Sequence, residues 1–94
     1  MDILTKNEIK EQLITLKGWH YPKDQIEKEY EFKDFMDALS FVLKIGIEAE
    51  KMDHHPDILL HSWNKVKISI STHSAGGITL LDFKLAKTIE TLNK

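Results

Sequence analysis

Residues 26–52 read IEKEYEFKDFMDALSFVLKIGIEAEKM, and within them the spacing of apolar side chains changes from every second position to every third or fourth. Ile26, Tyr30 and Phe32 alternate with glutamates, which is typical of a strand with one solvated, acidic face. From Phe35 onward the apolar residues recur with the period of a helix that buries one face. We therefore predict a strand followed directly by a long helix at the centre of the fold.

The predicted long helix has recognisable signals at both ends. Asp34 is a suitable N-cap residue because its carboxylate can accept hydrogen bonds from the first backbone amides. Pro56 disfavours helical backbone angles at His55, so we expect the helix to end near Asp53. The predicted buried stripe of this helix comprises Phe35, Ala38, Val42, Ile45, Ala49 and Met52.

The residues before the strand predict a shorter helix and a β-hairpin. Residues 5–8, TKNE, have the form of a capping box, and helical spacing of apolar residues follows as far as Gly18. Residues 19–21 alternate in polarity and precede a turn. We therefore expect them to form a strand that pairs with residues 26–32.

The residues after the long helix predict two more strands and a last helix. We expect a short strand over residues 58–63 and another over residues 65–72, and we place the second at an edge of the sheet. Gly76 and Gly77 then interrupt the chain. Residues 79–82, TLLD, have the form of another capping box and predict the start of the last helix.

The predicted order of elements is α-β-β-α-β-β-α. Strands with one polar face indicate an antiparallel sheet that is covered on a single side. We therefore predict an α+β two-layer sandwich, with a four-stranded antiparallel sheet and three helices on one face. The whole of residues 1–94 is expected to form one domain, because the chain is short and has no linker.

The composition excludes several classes of protein. There is no cysteine, which excludes a disulfide scaffold, cysteine-ligated zinc or iron–sulfur sites, and thiol catalysis. All 13 basic residues are lysines and the net charge is −2, so the chain lacks the guanidinium groups and the basic balance of a nucleic-acid-binding protein. No stretch approaches the roughly 20 apolar residues of a membrane span, and the first ten residues lack a signal-peptide pattern. We expect a cytoplasmic protein that binds neither nucleic acid nor membrane.

The stretch from Glu50 to Asp57, EKMDHHPD, concentrates histidine and acidic side chains where the long helix ends. Histidine exchanges protons near neutral pH, so His54 and His55 are candidates for general acid–base catalysis. Glu50 lies four residues before His54 and could orient its ring if the last helical turn persists. A solvated loop is the simpler alternative. Adjacent histidines in an extended segment point apart, which disfavours a metal site.

The second candidate segment is residues 72–77, THSAGG. His73 lies at the end of a predicted strand, directly before a glycine pair that permits close backbone approach. The hydroxyls of Thr72 and Ser74, with neighbouring backbone amides, could hydrogen-bond to a polar heterocycle. Asp82, in the first turn of the last helix, could reach this loop. A surface histidine and a helix-capping aspartate are the simpler alternatives.

The spacing of these residues resembles the signature of the pterin-4a-carbinolamine dehydratases, and the resemblance covers nearly the whole chain. It includes residues outside the signature, such as Gly18-Trp19 and Ala49-Glu50. Gaps of six, nine and eight residues separate the last four signature positions, from Pro56 to Asp82. The full set of signature positions is Glu50, His54, His55, Pro56, Trp63, His73 and Asp82.

The resemblance implies a hydro-lyase that converts 4a-hydroxytetrahydrobiopterin to quinonoid dihydropterin and water and so supports tetrahydrobiopterin recycling, without a cofactor or a metal. It implies that His54 and His73 protonate hydroxyl groups on either face of the pterin, and that His55 binds the substrate and has some base character. Glu50 would orient this cluster, and Asp82 would support the His73 loop. The substrate-binding residues that the resemblance implies are Glu50, His54, His55, Pro56, Thr72, His73, Ser74 and Ala75.

The resemblance also bears on partners. Subunits of the family associate into dimers and tetramers, so it implies a homodimer or homotetramer. Two alternatives stay open. The scaffold could act as a non-catalytic dimerisation cofactor for a transcription factor or a hydroxylase. It could also be a dehydratase-like protein for another pterin, such as an intermediate related to the molybdenum cofactor.

Overall fold

The computed structural model describes residues 2–93 and contains, in that range, three helices and three strands. The predicted α+β class is confirmed, but the sheet has three strands rather than the predicted four. Of residues 19–21, only His20 pairs, through an isolated bridge to Glu27. The elements are α1 (Lys6–Leu13), β1 (Ile26–Glu31), α2 (Phe35–Met52), β2 (Asp57–His61), β3 (Lys65–Ile70) and α3 (Leu80–Leu92).

The sheet is antiparallel in the order β1-β3-β2, so β3 is the central strand. Ile68 of β3 lies opposite Lys28 on one side and Ile58 on the other. The prediction that residues 65–72 form an edge is therefore wrong. Lysines at alternate positions suggested an exposed edge, but their side chains lie on the solvated face of a strand that is paired on both sides.

The core lies between the sheet and the helices. Alternation in β3 sends Val66, Ile68 and Ile70 into this core, where they are fully buried. The long helix α2 contributes Ala38, Phe41, Ile45 and Ala49 to the same core, and α3 contributes Phe83, Leu85, Ala86 and Ile89. The opposite face of the sheet carries mostly charged and polar side chains, as the alternation of glutamates predicted.

The predicted starts of the three helices and the predicted end of α2 are confirmed. The predicted end of the first helix at Gly18 is wrong, because α1 ends at Leu13 and residues 14–18 form turns. Thr5 and Thr79 each form a capping box, the second with Asp82. Asp34 caps α2 by accepting a hydrogen bond from the Asp37 amide at 2.8 Å. At the other end, Asp53 has a left-handed conformation with φ 50°, which terminates α2 and directs the chain towards β2. Within residues 2–93, none of the helices has both the length and the apolar character needed to cross a membrane.

A partly buried polar cluster joins the end of α3 to β1. Glu90 accepts hydrogen bonds from Lys28 Nζ at 3.0 Å and from the Tyr30 hydroxyl. Burial and the neighbouring Glu90 raise the pKa of Tyr30 far above its ordinary value. Burial alone would raise the pKa of Glu90, but the hydrogen bonds from Tyr30 and Lys28 outweigh it and lower that pKa.

Candidate active site

His54 is a buried histidine at the junction of α2 and β2. Its backbone amide donates to Ala49 O at 3.1 Å, so the His54 backbone is held at the end of α2. Its Nε2 donates a hydrogen bond to Asp82 Oδ1 at 2.5 Å, and the side chain is only 9% exposed. Because the Asp82 carboxylate accepts the hydrogen bond from Nε2, Nδ1 is the ring nitrogen that remains available to another partner.

Asp82 connects three segments of the chain at this point. It is fully buried in the first turn of α3. Its Oδ2 accepts hydrogen bonds from Thr72 Oγ1 and from the Thr79 amide, both at 2.8 Å, while Oδ1 accepts from His54. A buried carboxylate needs such a full set of donors, because an unpaired one would be costly. Asp82 thus ties His54 to Thr72, the residue before His73.

His55 lies in a more exposed position. Its Nε2 donates to Glu50 Oε1 at 2.8 Å, and the two side chains are 55% and 78% exposed. The carboxylate of Glu50 therefore contacts His55, whereas the spacing of four residues had suggested His54. The left-handed residue Asp53 breaks the helical register before His54, which explains the difference.

His73 lies in the turn that follows β3 and is exposed. The turn is held by hydrogen bonds from the Ala75 and Gly76 amides to Thr72 O, both at 3.0 Å. Gly76 has φ 78°, a conformation that other residues rarely adopt, and it closes the turn. His73 lines a polar cavity of about 450 Å³ on the solvated side of the sheet.

The wall of this cavity includes residues that the sequence did not single out. Gln25 Nε2 donates to Asp57 Oδ2 at 3.0 Å, a contact between side chains from the two outer strands and their flanks. Tyr21 and Asp24, from the turn before β1, also line the cavity. The sequence could have identified Asp57 as a site residue, because it directly follows His55-Pro56. No feature of the sequence identifies Gln25, Tyr21 and Asp24, because the pairing of β1 with β3 brings them to this cavity.

The structure brings some predicted residues together and leaves others apart. Asp82 bonds to His54 and to the segment before His73, while Thr72 and His73 share the polar cavity. His55, Glu50 and Pro56 line a different cavity, an apolar groove of about 750 Å³ along α2 and β2. Ser74 and Ala75 belong to the His73 turn and line neither cavity. In residues 2–93 no three histidine or acidic side chains are grouped closely enough to hold a metal ion.

Chemically, the candidate residues offer proton donors and acceptors, of which His73 lines the polar cavity, whereas His54 lines neither that cavity nor the apolar groove. His54 is a histidine ring held by a buried carboxylate, and His73 is an exposed ring on a fixed turn. The two differ in burial, so one fold provides two rings with different access to solvent. Two such rings suit a reaction in which one histidine protonates a hydroxyl group that leaves as water and another histidine accepts a proton from the substrate.

Comparison with known proteins points to a single family. The model of the family described as pterin 4 alpha carbinolamine dehydratase matches residues 2–92. A relative in Sulfolobus acidocaldarius is 44% identical over 95% of this chain and 97% of its own length, and one in Nostoc punctiforme is 47% identical over 96% of each. Both have the provisional name pterin-4-alpha-carbinolamine dehydratase.

Two solved structures resemble this fold. A transcriptional coactivator/pterin dehydratase from Brucella melitensis superposes with a TM-score of 0.93 at 35% identity, covering 99% of this chain and 100% of that one. A pterin dehydratase-like protein, described as a RuBisCO assembly factor in the alpha-carboxysome, superposes with a TM-score of 0.64 at 15% identity over 79% of this chain and 84% of its own. The second likeness concerns the fold alone.

Proposed function

Because the chain belongs to the pterin 4 alpha carbinolamine dehydratase family, we propose that it dehydrates 4a-hydroxytetrahydrobiopterin to quinonoid dihydropterin and water. The family assignment supports a pterin dehydratase, which is a hydro-lyase. The single observation that supports the catalytic detail is the bonding of Asp82 to both His54 and Thr72, because it ties His54 to the residue directly before His73.

The reaction requires two proton transfers and no redox change. A general acid protonates the 4a-hydroxyl oxygen, the carbon–oxygen bond breaks, and the lone pair of N5 forms the new double bond. The N5 proton then passes to a base, and water leaves. We propose His54 and His73 as the acids for the two faces of the pterin, and His55 as the base that also contacts the substrate.

The surrounding residues have supporting roles in this proposal. Asp82 orients His54 through Nε2, which leaves Nδ1 to exchange a proton with the substrate. Glu50 orients His55 in the same way. Pro56 and the segment of Thr72, Ser74 and Ala75 would line the substrate. The chain would need no cofactor of its own, since protons are the only groups transferred.

The test is the decay of a 4a-hydroxytetrahydropterin, generated by an aromatic amino acid hydroxylase and followed by absorbance. We expect the wild type to accelerate this decay, and His54→Ala and His73→Ala each to lose about 100-fold or more in rate. His61→Ala is the matched control, because His61 is bonded to Glu29 at the opposite end of β2 from Asp57 and lines neither cavity. Wild-type protein that gave no acceleration over buffer would refute the proposal.

Self-association of this chain is the second part of the proposal. Four large apolar side chains of α2 are exposed, and they are Phe35, Met36, Leu43 and Ile47, at 48%, 64%, 63% and 58%. Leu43 and Ile47 line the apolar groove that also includes His55. Clustered apolar exposure of this kind marks association surfaces in soluble proteins. We propose that copies of the chain associate there as a homodimer or homotetramer.

A binding role is the alternative function, and the name of one structural neighbour favours keeping it. The protein from Brucella melitensis is called a transcriptional coactivator as well as a pterin dehydratase. A partner-binding role should survive the combined His54→Ala and His55→Ala substitutions, whereas dehydration should not. Comparison of binding and turnover in that double variant separates the two functions.

A further inference from the structure

A second cavity of about 460 Å³ lies next to the polar cavity that contains His73. Three lysines, Lys6, Lys10 and Lys23, line it, and no acidic residue does. Trp19 and Tyr21 form an aromatic part of its wall. Neither the family signature nor the proposed acid–base chemistry uses any of these residues, so the cavity has no role in the function described so far.

The three lysines are free to bind an anion. Within residues 2–93, none of them lies within ion-pair distance of a carboxylate, although Lys28, Lys33, Lys51 and Lys67 each do. Lys6 and Lys10 are four residues apart on α1 and therefore share one face of that helix. Lys23 approaches from the turn before β1. The lysines therefore come from two separate parts of the chain and meet at one cavity.

Tyr21 joins this cavity to the first one, because its side chain lines both. The backbone next to it is fixed, since His20 and Glu27 exchange hydrogen bonds of 2.9 and 2.8 Å. The two cavities have opposite charge. Asp24 and Asp57 line the first, whereas the lysines line the second. A ligand that extends past Tyr21 into both cavities therefore meets carboxylate acceptors in the first cavity and lysine ammonium groups in the second.

A pterin with an acidic tail has this distribution of groups. Its 2-amino group and N3–H are neighbouring donors, which suit a carboxylate such as Asp57. Its C6 substituent leaves from the opposite end of the bicyclic ring. If the ring occupies the His73 cavity with its donors towards Asp57, the C6 substituent extends away from the acidic wall.

We propose that the site also accepts, and binds more tightly, a pterin whose C6 side chain ends in an anionic group, a carboxylate or a phosphate, held by Lys6, Lys10 and Lys23. The inference rests on the proposed function, because it assigns the ring to the cavity beside His73. Lysine binds such groups as a compact point charge. The three lysines are exposed, so their combined effect is expected to be about tenfold in affinity and to weaken with salt.

The experiment compares stable pterins of different charge by calorimetric titration of the full chain. The probes are 7,8-dihydroneopterin, which is neutral, its 3′-monophosphate, and 7,8-dihydrofolate, which carries carboxylates. We expect both anionic probes to bind about tenfold more tightly than the neutral one at low salt. This preference should disappear in the combined variant Lys6→Gln, Lys10→Gln, Lys23→Gln, while the affinity for dihydroneopterin stays within about twofold.

The matched control is the combined variant Lys33→Gln, Lys84→Gln, Lys87→Gln, which removes the same charge from exposed positions that line neither cavity. It should keep the preference. Equal affinities for all three probes in the wild type, or the same loss in both variants, would overturn the inference. If only the phosphate probe binds more tightly than dihydroneopterin, the anionic group of the tail is a phosphate. If only dihydrofolate binds more tightly, the anionic group is a carboxylate.

A parallel assay separates this inference from the proposed function. The wild type is tested for acceleration of the decay of 4a-hydroxytetrahydrobiopterin, which has a neutral side chain. Acceleration without any preference for anionic probes would refute the anionic tail and leave the dehydratase proposal standing. A clear preference for anionic probes without acceleration of any 4a-hydroxytetrahydropterin would refute the dehydratase proposal, while the anion site would stand.

Discussion

At the scale of single residues, Asp82 combines helix capping with contacts to two other segments of the chain. Its two oxygens accept from a histidine ring, a threonine hydroxyl and a backbone amide in a fully buried position. An aspartate in a capping box would ordinarily affect only the helix that it begins. Here the same carboxylate also holds His54 and the strand end before His73, so helix initiation and the proposed catalysis depend on one side chain.

We predict that Asp82→Asn lowers both stability and activity. The amide offers one acceptor oxygen where the carboxylate offers two, so a buried donor loses its partner, at a cost of about 1–3 kcal/mol. Urea denaturation measures the stability, and the decay of 4a-hydroxytetrahydropterin measures the activity. In a double-mutant cycle with His54→Ala the losses of activity should be strongly non-additive. Fully additive losses would show that Asp82 does not act through His54.

A second residue-scale prediction concerns Glu90. Hydrogen bonds from Tyr30 and Lys28 lower its pKa, so the folded state favours the carboxylate. This contribution is present above the pKa of about 4.3 expected in the unfolded chain and is lost as the pH falls through the lower folded value. Glu90→Gln should therefore cost about 1 kcal/mol near neutral pH, discounted for solvent exposure, and progressively less in acid.

The measurement for Glu90 is the free energy of unfolding of both proteins as a function of pH. Glu31→Gln is the control, since Glu31 is an exposed glutamate of the same strand as Tyr30. It should leave the pH dependence of the wild type unchanged. A Glu90→Gln difference that stays constant from pH 7 into acid would contradict the lowered pKa.

At the scale of elements, the two capping boxes have the same sequence pattern, but they lie in different surroundings. Thr5 is exposed, and its box satisfies only the first turn of α1. Thr79 is fully buried, and its hydroxyl also contacts Thr72 Oγ1 at 2.9 Å. The second box therefore joins a helix start to the end of the central strand.

We predict that Thr79→Ala destabilises the protein more than Thr5→Ala. Loss of an exposed N-cap costs about 1 kcal/mol. Loss of Thr79 adds the cost of leaving buried partners unsatisfied, for a total of about 2–3 kcal/mol. Thermal or urea unfolding of the two single variants measures this difference directly. Equal losses would mean that the contact between Thr79 and Thr72 contributes little to stability.

The sequence predicted most of the elements because their signals are local. The ends of α2 followed from Asp34 and from Pro56, and each acts within a few residues. The segment 19–21 shows the limit. It has the alternation of a strand, but only His20 pairs, because Trp19 is buried in the core and the next residues turn away. Whether a segment pairs as a strand depends on which segment lies beside it in the fold. The alternation of polar and apolar residues does not encode that neighbour.

At the scale of the whole molecule, the small core and the exposed apolar side of α2 both favour self-association. A chain of this size buries about 60–70% of its unfolded surface. Association of copies would bury apolar groups that the monomer leaves in water, and it would bring a neighbouring copy close to His55. Association would then affect both stability and access to the proposed site.

We predict that the wild type is a dimer or tetramer in solution, and that Leu43→Glu combined with Ile47→Glu lowers its mass. Charged groups at the centre of an apolar contact would have to lose water without a partner. Light scattering coupled to size-exclusion chromatography measures the mass. Lys84→Glu combined with Lys87→Glu, on the exposed side of α3, is the control. A monomeric wild type would refute this prediction.

The sequence alone determined the α+β class, the starts of the helices, the end of α2 and the candidate histidines, because these depend on the period of apolar residues and on signals a few positions apart. Tertiary structure alone decided that β3 is central, that Asp82 bonds to His54, and that Glu50 bonds to His55. It also decided that Tyr21 lies between an acidic and a basic cavity. These contacts join residues from different elements, and their distances follow from how the helices and strands pack.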